Sequence, residues 1–258
     1  MLIAENVQYN VGAKVILDSI SIQIPLHKMY VIIGPNGSGK SSLLRCLSGW
    51  NIPSAGLVRY GQEEVSGISA KRRASIMSFL PQRPRMTESI PIVDVIAAAR
   101  YRFSESHRES KLSARALLEE NHLGHLEDRD WDTLSGGEAQ RIALLTMKAQ
   151  DADLWILDEP ANHLDPAVQK EMYQSLIHEW NEGRTMIVVT HNINLILAAV
   201  PTSEYERVAV MGLDEGKMQF ERTLSDPDIV HKIGDLYQLP IQTITAFGKK
   251  QFIFGSPQ

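Results

Sequence analysis

Cysteine is nearly missing from this chain of 258 residues, with Cys46 the only one. A single thiol cannot build a disulfide framework within the chain, which excludes the small bridge-stapled folds and fits a reducing cytosol. Cys46 lies in SSLLRCLSG and reads as a small apolar residue on a helix face rather than as a reactive thiol. Long apolar runs are missing too. The best stretch, INLILAAVP (193–201), is far shorter than the roughly 18 residues needed to span a bilayer. Work at a membrane would therefore need another chain to cross it. The start, MLIAENVQYN, has neither a basic segment nor a long apolar one, so no secretory leader is expected. Positive charge is not in excess: 26 Lys and Arg stand against 31 Asp and Glu, for a net charge of −5. Nucleic-acid binders are more often basic, so no nucleic-acid partner is expected.

What is present is an ordinary globular composition, 43% hydrophobic and 22% charged, enough for one large domain. KVILDSISIQIP (14–25) alternates at Ile20, Ile22 and Ile24, as a half-buried strand does. Four short apolar runs, 29–35, 153–160, 185–191 and 207–212, end in polar or turn residues and suit buried parallel strands. SSLLRCLSG (41–49) reads as a helix closed by Gly49. Between 84 and 150 the pattern is helix after helix, with Leu112, Leu117 and Leu118 near helical spacing and Gly124 closing that segment. The last forty residues show weak strand signals at IQTITAF and KQFIFG. The expected fold class is α/β, with a core at 1–83 and 151–220, a helical subdomain at 84–150 and a C-terminal extension at 221–258.

Two segments look built for phosphate. GPNGSGKS (34–41) fits G-x-x-x-x-G-K-[ST] between a strand signal and a helix signal, the context of a phosphate loop. Backbone N–H groups from Gly34, Pro35, Asn36, Gly37, Ser38, Gly39 and Lys40, proline excepted, would wrap the phosphates. The start of the following helix, with Ser41 and Ser42, would add partial positive charge. Lys40 should reach the β- and γ-phosphates of ATP, and Ser41 should hold Mg²⁺. In DLWILDEP, Asp158 ends a strand and is placed to hold Mg²⁺. Glu159 follows as a carboxylate able to take a proton from an attacking water. The second segment is TLSGGEAQR (133–141), where Ser135, Gly136, Gly137 and Glu138 open a helix whose free N–H groups could face another anion.

Five motifs, GPNGSGKS, FLPQ, LSGGE, WILDEP and VTHN, occur in the order found in ATP-binding subunits of ABC transporters, and the chain resembles that family over about residues 2–220. The resemblance implies a P-loop NTPase core of RecA-like type with an N-terminal antiparallel β subdomain and an inserted helical subdomain. It implies two copies packed head to tail, each ATP lying between the phosphate loop of one and the LSGG of the other. Ser135 and Gly137 would then contact the γ-phosphate of the partner's ATP. By the same resemblance Tyr9 stacks on adenine and Gln82 contacts Mg²⁺ or water. His191 touches the γ-phosphate, and Asp165 signals across the dimer. Integral-membrane permease subunits, and through them a substrate-binding protein, would be partners, holding the chain on the cytoplasmic face of a membrane. Arg83, Arg85 and Met86 are candidate walls of a groove for a permease helix.

The chain departs from the family pattern at three places. His27-Lys28 replace Gly-Glu before the phosphate-loop strand, Ala161 lacks a hydroxyl after Pro160, and Thr146 stands where arginine is frequent. None of these removes a phosphate or metal ligand. Within the family, VDVIAAARYRF, HLGHLEDRDWDTLSGGE and ANHLD are similar to importers of siderophores, haem and cobalamin, with Ala99 in place of their glycine. A soluble ABC ATPase of iron–sulfur cluster assembly remains the second reading.

Overall fold

The computed structural model describes residues 1–82, 89–162, 164–246 and 248–256. The chain begins with β1 (Leu2–Val11) and β2 (Lys14–Ile24), an antiparallel pair that turns at Gly12. Ile20, Ile22 and Ile24 point inward while Ser19, Ser21 and Gln23 face solvent, so the alternation in the sequence is the alternation of the strand's two faces. After β3 (Met29–Ile33) and α1 (Lys40–Leu47), β4 (Ala55–Tyr60) and the short β5 (Glu63–Glu64) join this sheet in the order β2-β1-β4-β5. Cys46 is buried on α1, and burial pushes its thiol up to about 11, which leaves it protonated and unreactive at neutral pH.

A basic helix, α2 (Ala70–Ile76), leads to β6 (Met77–Leu80). The helical layer follows: α3 (Ile92–Ala99), α4 (His107–Glu120) and α5 (Gly136–Gln150). Leu118 of α4 is buried, whereas Leu112 is 55% exposed and faces water. The helix stops at Glu120, and Gly124 instead opens a short 3₁₀ turn. Then come β7 (Leu154–Asp158), α6 (Pro166–Asn181), β8 (Thr185–Val189), α7 (Ile193–Ala199), β9 (Val208–Asp214) and β10 (Lys217–Thr223). The chain ends in α8 (Ile229–Tyr237) and a hairpin of β11 (Ile241–Ala246) and β12 (Lys249–Phe254).

The main sheet has six strands in the order β10-β9-β3-β8-β7-β6, parallel except for β10. Both of its faces are covered, so the inner strands β3, β7 and β8 are buried at every position rather than at alternate ones. Met29, Val31 and Ile33 of β3 pack into the cluster that includes α3, α5 and α6, whereas Tyr30 and Ile32 join the cluster around α1 and the antiparallel sheet. This topology has one consequence for chemistry. The parallel strands β3, β6, β7 and β8 all finish at the same edge, where side chains from distant parts of the sequence can meet.

His27 sits in the left-handed region with φ of 62°. That conformation is costly for a residue with a Cβ. It is held by its N–H donating to Thr185 Oγ1 at 2.8 Å, its Nδ1 at 2.5 Å from the Gly183 carbonyl, and its own carbonyl accepting from Trp180 Nε1 at 3.3 Å.

Lys148 at the end of α5 and Arg184 before β8 converge on Glu179, which is 7% exposed, at 2.9 Å each. Burial alone would raise this carboxyl's pKa, but the bonds from Lys148 and Arg184 outweigh it and hold it below the usual carboxylate range. A depressed folded-state pKa contributes stability that is present above the unfolded-state pKa and lost as pH falls through the folded-state one. Replacing Glu179 by Ala leaves Lys148 without its carboxylate and Arg184 with that of Asp151 alone. It is expected to cost about 3 kcal/mol in urea unfolding at neutral pH. The gap between wild type and variant should narrow as the pH drops below the ordinary carboxylate range.

Candidate functional site

β3 ends at Ile33, and the chain then wraps into a loop that α1 closes. Gly39 is the N-cap of α1 with φ of 102°, and a Cβ there would come within 2.9 Å of the Ile16 carbonyl and of Leu17 Cδ2. Gly34 is equally confined, since a Cβ on it would lie 1.9 Å from the Leu213 carbonyl. These two glycines are demanded by close backbone approach. Lys40 is buried, and its Nζ donates to the carbonyls of Gly34 at 2.9 Å and Pro35 at 2.7 Å. Burial lowers its pKa, against the pull of Glu159, Asp158 and Asp214.

β7 delivers the two acids to the same edge. Asp158 is 2% exposed, and its Oδ1 is buried with no hydrogen-bond partner. Burial raises its pKa, opposed by a hydrogen bond with Ser41 and the charges of Arg45 and Lys40. An unpartnered buried carboxylate oxygen next to a serine hydroxyl, with the Gln82 amide at the same cleft, is an all-oxygen donor set of the hard kind that suits Mg²⁺. The residues present fit that ion.

Glu159 turns into the left-handed region with φ of 51° and is buried. Its N–H donates to the Val189 carbonyl at 3.0 Å. Its Oε2 accepts from Gln82 Nε2 and from Asn162 Nδ2, both at 2.6 Å, and its Oε1 meets His191 Nε2. A strained backbone and three side-chain partners on one carboxylate mark a position built for chemistry. His191 follows β8. Behind it Tyr173 donates to Thr190 Oγ1 at 3.0 Å, and the Asn192 N–H donates to the same oxygen at 3.1 Å, which pins the loop.

A cleft of about 640 Å³ joins these groups. Asn36, Gly37, Gly39, Lys40, Ser41 and Ser42 line it with Gln82, Glu159, Asn162 and His191. Lys14 and Ile16 line it as well. Tyr9 does not; it is half-buried, pairs with Leu17 across the strands and packs on the apolar cluster beneath. Ser135, Gly136, Gly137 and Glu138 are not at this cleft either. Ser135 caps α5 by accepting from the Glu138 N–H at 3.3 Å, and the Glu138 carboxylate accepts from the Ser135 N–H at 2.7 Å. That capping box holds the Glu138 carboxyl below its usual pKa and turns its charge onto its own helix rather than outward. Asp165 is exposed and precedes Pro166 as the N-cap of α6, without a side-chain capping bond. Arg83, Arg85 and Met86 lie outside the described residues.

Of the three departures, Ala161 is buried, and its carbonyl accepts from Gln169 Nε2 at 3.1 Å. Thr146 bonds back to the Ile142 carbonyl at 2.8 Å. Asn162 is the residue that sequence reasoning missed. Its position three residues beyond Glu159, in a turn where its N–H donates to the Glu159 carbonyl at 3.1 Å, was the available signal.

The model of the ABC transporter family matches residues 17–162. The chain is 31% identical over 250 residues to the petrobactin import ATP-binding protein YclP of Bacillus subtilis, covering 95% of this chain and 96% of that protein. It is 30% identical to the iron(3+)-hydroxamate import ATP-binding protein FhuC of the same organism, covering 95% and 90%. The hemin import ATP-binding protein HmuV of Pseudomonas entomophila is 32% identical over 76% of this chain and 78% of its own length. Among solved structures, an inward-facing ABC transporter assigned to the metal-chelate type superposes with a TM-score of 0.77 at 22% identity, covering 98% of this chain and 96% of that one. A dimeric bacterial ABC transporter cassette superposes at 0.75 and 24% identity, over 88% of this chain and all of its own, which shows the same fold.

The tight packing around Gly39 is open to a direct check. Gly39→Ala forces a Cβ against Ile16 and Leu17 at a positive φ, and it is expected to cost about 2 kcal/mol of stability. Melting curves with and without MgATP should show that the rise produced by nucleotide is lost; a full rise would mean that the loop does not depend on this glycine.

Proposed function

The chain belongs to the ABC transporter family as one of its ATP-binding proteins, ATPases coupled to transport, and we propose that it drives the import of a metal chelate of the siderophore or haem kind. The observation that carries the cargo class is end-to-end similarity to import ATP-binding proteins for petrobactin and iron(3+)-hydroxamate. This similarity supports importer work over a scaffold of iron–sulfur assembly.

In this reading ATP lies along the cleft of Lys40, Ser41 and Gln82. Lys40 leaves the loop carbonyls for the phosphate oxygens, a short movement for a side chain already at the loop's centre. Ser41, Asp158 and Gln82 would hold Mg²⁺, which when bound neutralises charge on the phosphates. Glu159, fixed by Gln82, Asn162 and His191, orients the attacking water and takes its proton. His191 and Lys40 face the charge that builds on the γ-phosphate. Ser135 and Gly137 complete the site of a second copy. Their absence from the cleft of their own chain supports that role, because a second cradle has work only if another molecule brings it a phosphate.

A permease is the proposed membrane partner. No helix among the described residues is long and apolar enough to cross a membrane. Beside Gln82 lies an apolar groove of about 220 Å³ walled by Phe79, Pro81, Val95, Trp131 and Thr146.

Two variants test the reading. Glu159→Gln should bind ATP, lose at least about 99% of turnover and form a nucleotide-dependent dimer by light scattering; turnover near wild type would refute the base. The same variant, tagged and recovered from gently solubilised membranes, should bring down a polytopic permease. Recovery of soluble iron–sulfur proteins alone would overturn import. Ser135→Arg should keep ATP binding and lose the dimer; a dimer that survives would end the proposal that the second cradle acts across the pair.

A further inference from the structure

The C-terminal extension is not a loose appendage. Gln238 ends α8 in the left-handed region, the Leu239 N–H donates to the Gly234 carbonyl at 3.0 Å, and the Gly255 N–H donates to the Pro240 carbonyl at 2.8 Å. Helix and hairpin are thus closed into one unit. Phe252 is buried in the main core, and Tyr237 meets Phe254 edge to face with ring centroids 5.9 Å apart.

This unit touches the nucleotide site from two sides. On one side the Gly34 N–H donates to the Tyr237 hydroxyl at 3.0 Å. The β3 ladder ends at Ile33, so this N–H has run out of strand partners, and the tyrosine supplies an acceptor at the first residue of the phosphate loop. The carbonyl of the same glycine accepts from Lys40. Both polar backbone groups of Gly34 are therefore tied, one to the extension and one to the phosphate-binding lysine. On the other side, the Asn194 side chain makes a pair of bonds to the backbone of Phe252, donating at 2.9 Å and accepting at 2.8 Å. Lys249 Nζ donates to the Val200 carbonyl at 3.2 Å. The hairpin so grips α7 at both ends, and α7 begins two residues after His191.

We propose that the extension is a brace across the nucleotide site, and that Tyr237 is the positioning residue through which it holds the phosphate loop in its binding shape. The hydroxyl fixes where the Gly34 peptide sits, and with it the carbonyl from which Lys40 departs when phosphate arrives. Loss of the hydroxyl leaves the loop in place but freer, so the cost falls on ATP binding rather than on the hydrolytic step.

Tyr237→Phe in the full chain isolates this, because it keeps the ring and its contact with Phe254 and removes one oxygen. One lost hydrogen bond corresponds to a rise in the KM for ATP of roughly three- to tenfold. The kcat should stay within about twofold, since no group at the reacting phosphate is altered. Two readouts do not depend on turnover. Amide exchange of the peptide carrying Gly34 should quicken, and the rise in melting temperature produced by MgATP should be smaller than in wild type. An unchanged KM together with an unchanged MgATP-induced rise overturns the proposal. So does an equal fall in melting temperature with and without nucleotide, which would reduce Tyr237 to a packing residue.

Discussion

The Glu159 carboxylate is where the structure converges. One oxygen accepts from Gln82, past the end of β6, and from Asn162, in the turn beyond β7; the other meets His191, past the end of β8. Burying a carboxylate beside Asp158 is unfavourable by itself, and Lys40 with these partners offsets the cost. The arrangement holds only while the parallel strands finish level with one another. The register Leu80 to Leu157 and Asp158 to Val189 is therefore as much a part of the site as any side chain in it. That register in turn rests on the two apolar clusters that clamp the sheet from either face.

The helical layer shares the apolar cluster on one face of the main sheet and adds polar links to it. Gln140 of α5 donates to the Pro160 carbonyl, Lys148 reaches Glu179, and the Ser78 hydroxyl donates to Gln150. Within a single chain the entrance of α5 is already closed by Glu138, and its serine and glycines stand away from the cleft. Within one chain the entrance of α5 and the cleft therefore stand apart.

Where the sequence departs from its family, the structure shows local compensation. His27 keeps a backbone conformation suited to glycine because Thr185, Gly183 and Trp180 hold it from three directions. Thr146 turns its hydroxyl back to its own helix at the groove beside Gln82. Neither change reaches the acids or the phosphate loop.

Much of this molecule was legible from local pattern. The phosphate loop, the buried strands and the order of motifs are short-range features, since glycine spacing and apolar runs act within a few residues of themselves. Leu112 shows the limit of that reading: helical spacing marks a face, but only the packed neighbours decide how wide the buried part is. Asn162 and Tyr237 show a deeper limit. Asn162 has only a local signal, its place three residues beyond Glu159, and nothing near Tyr237 in the sequence declares a role, because the Gly34 N–H it serves is brought to it by folding. The sequence by itself determined which chemical groups exist and which strands and helices carry them. Only the tertiary structure decided which of those groups meet, because hydrogen bonds between residues distant along the chain depend on strand register and core packing, to which local pattern is blind.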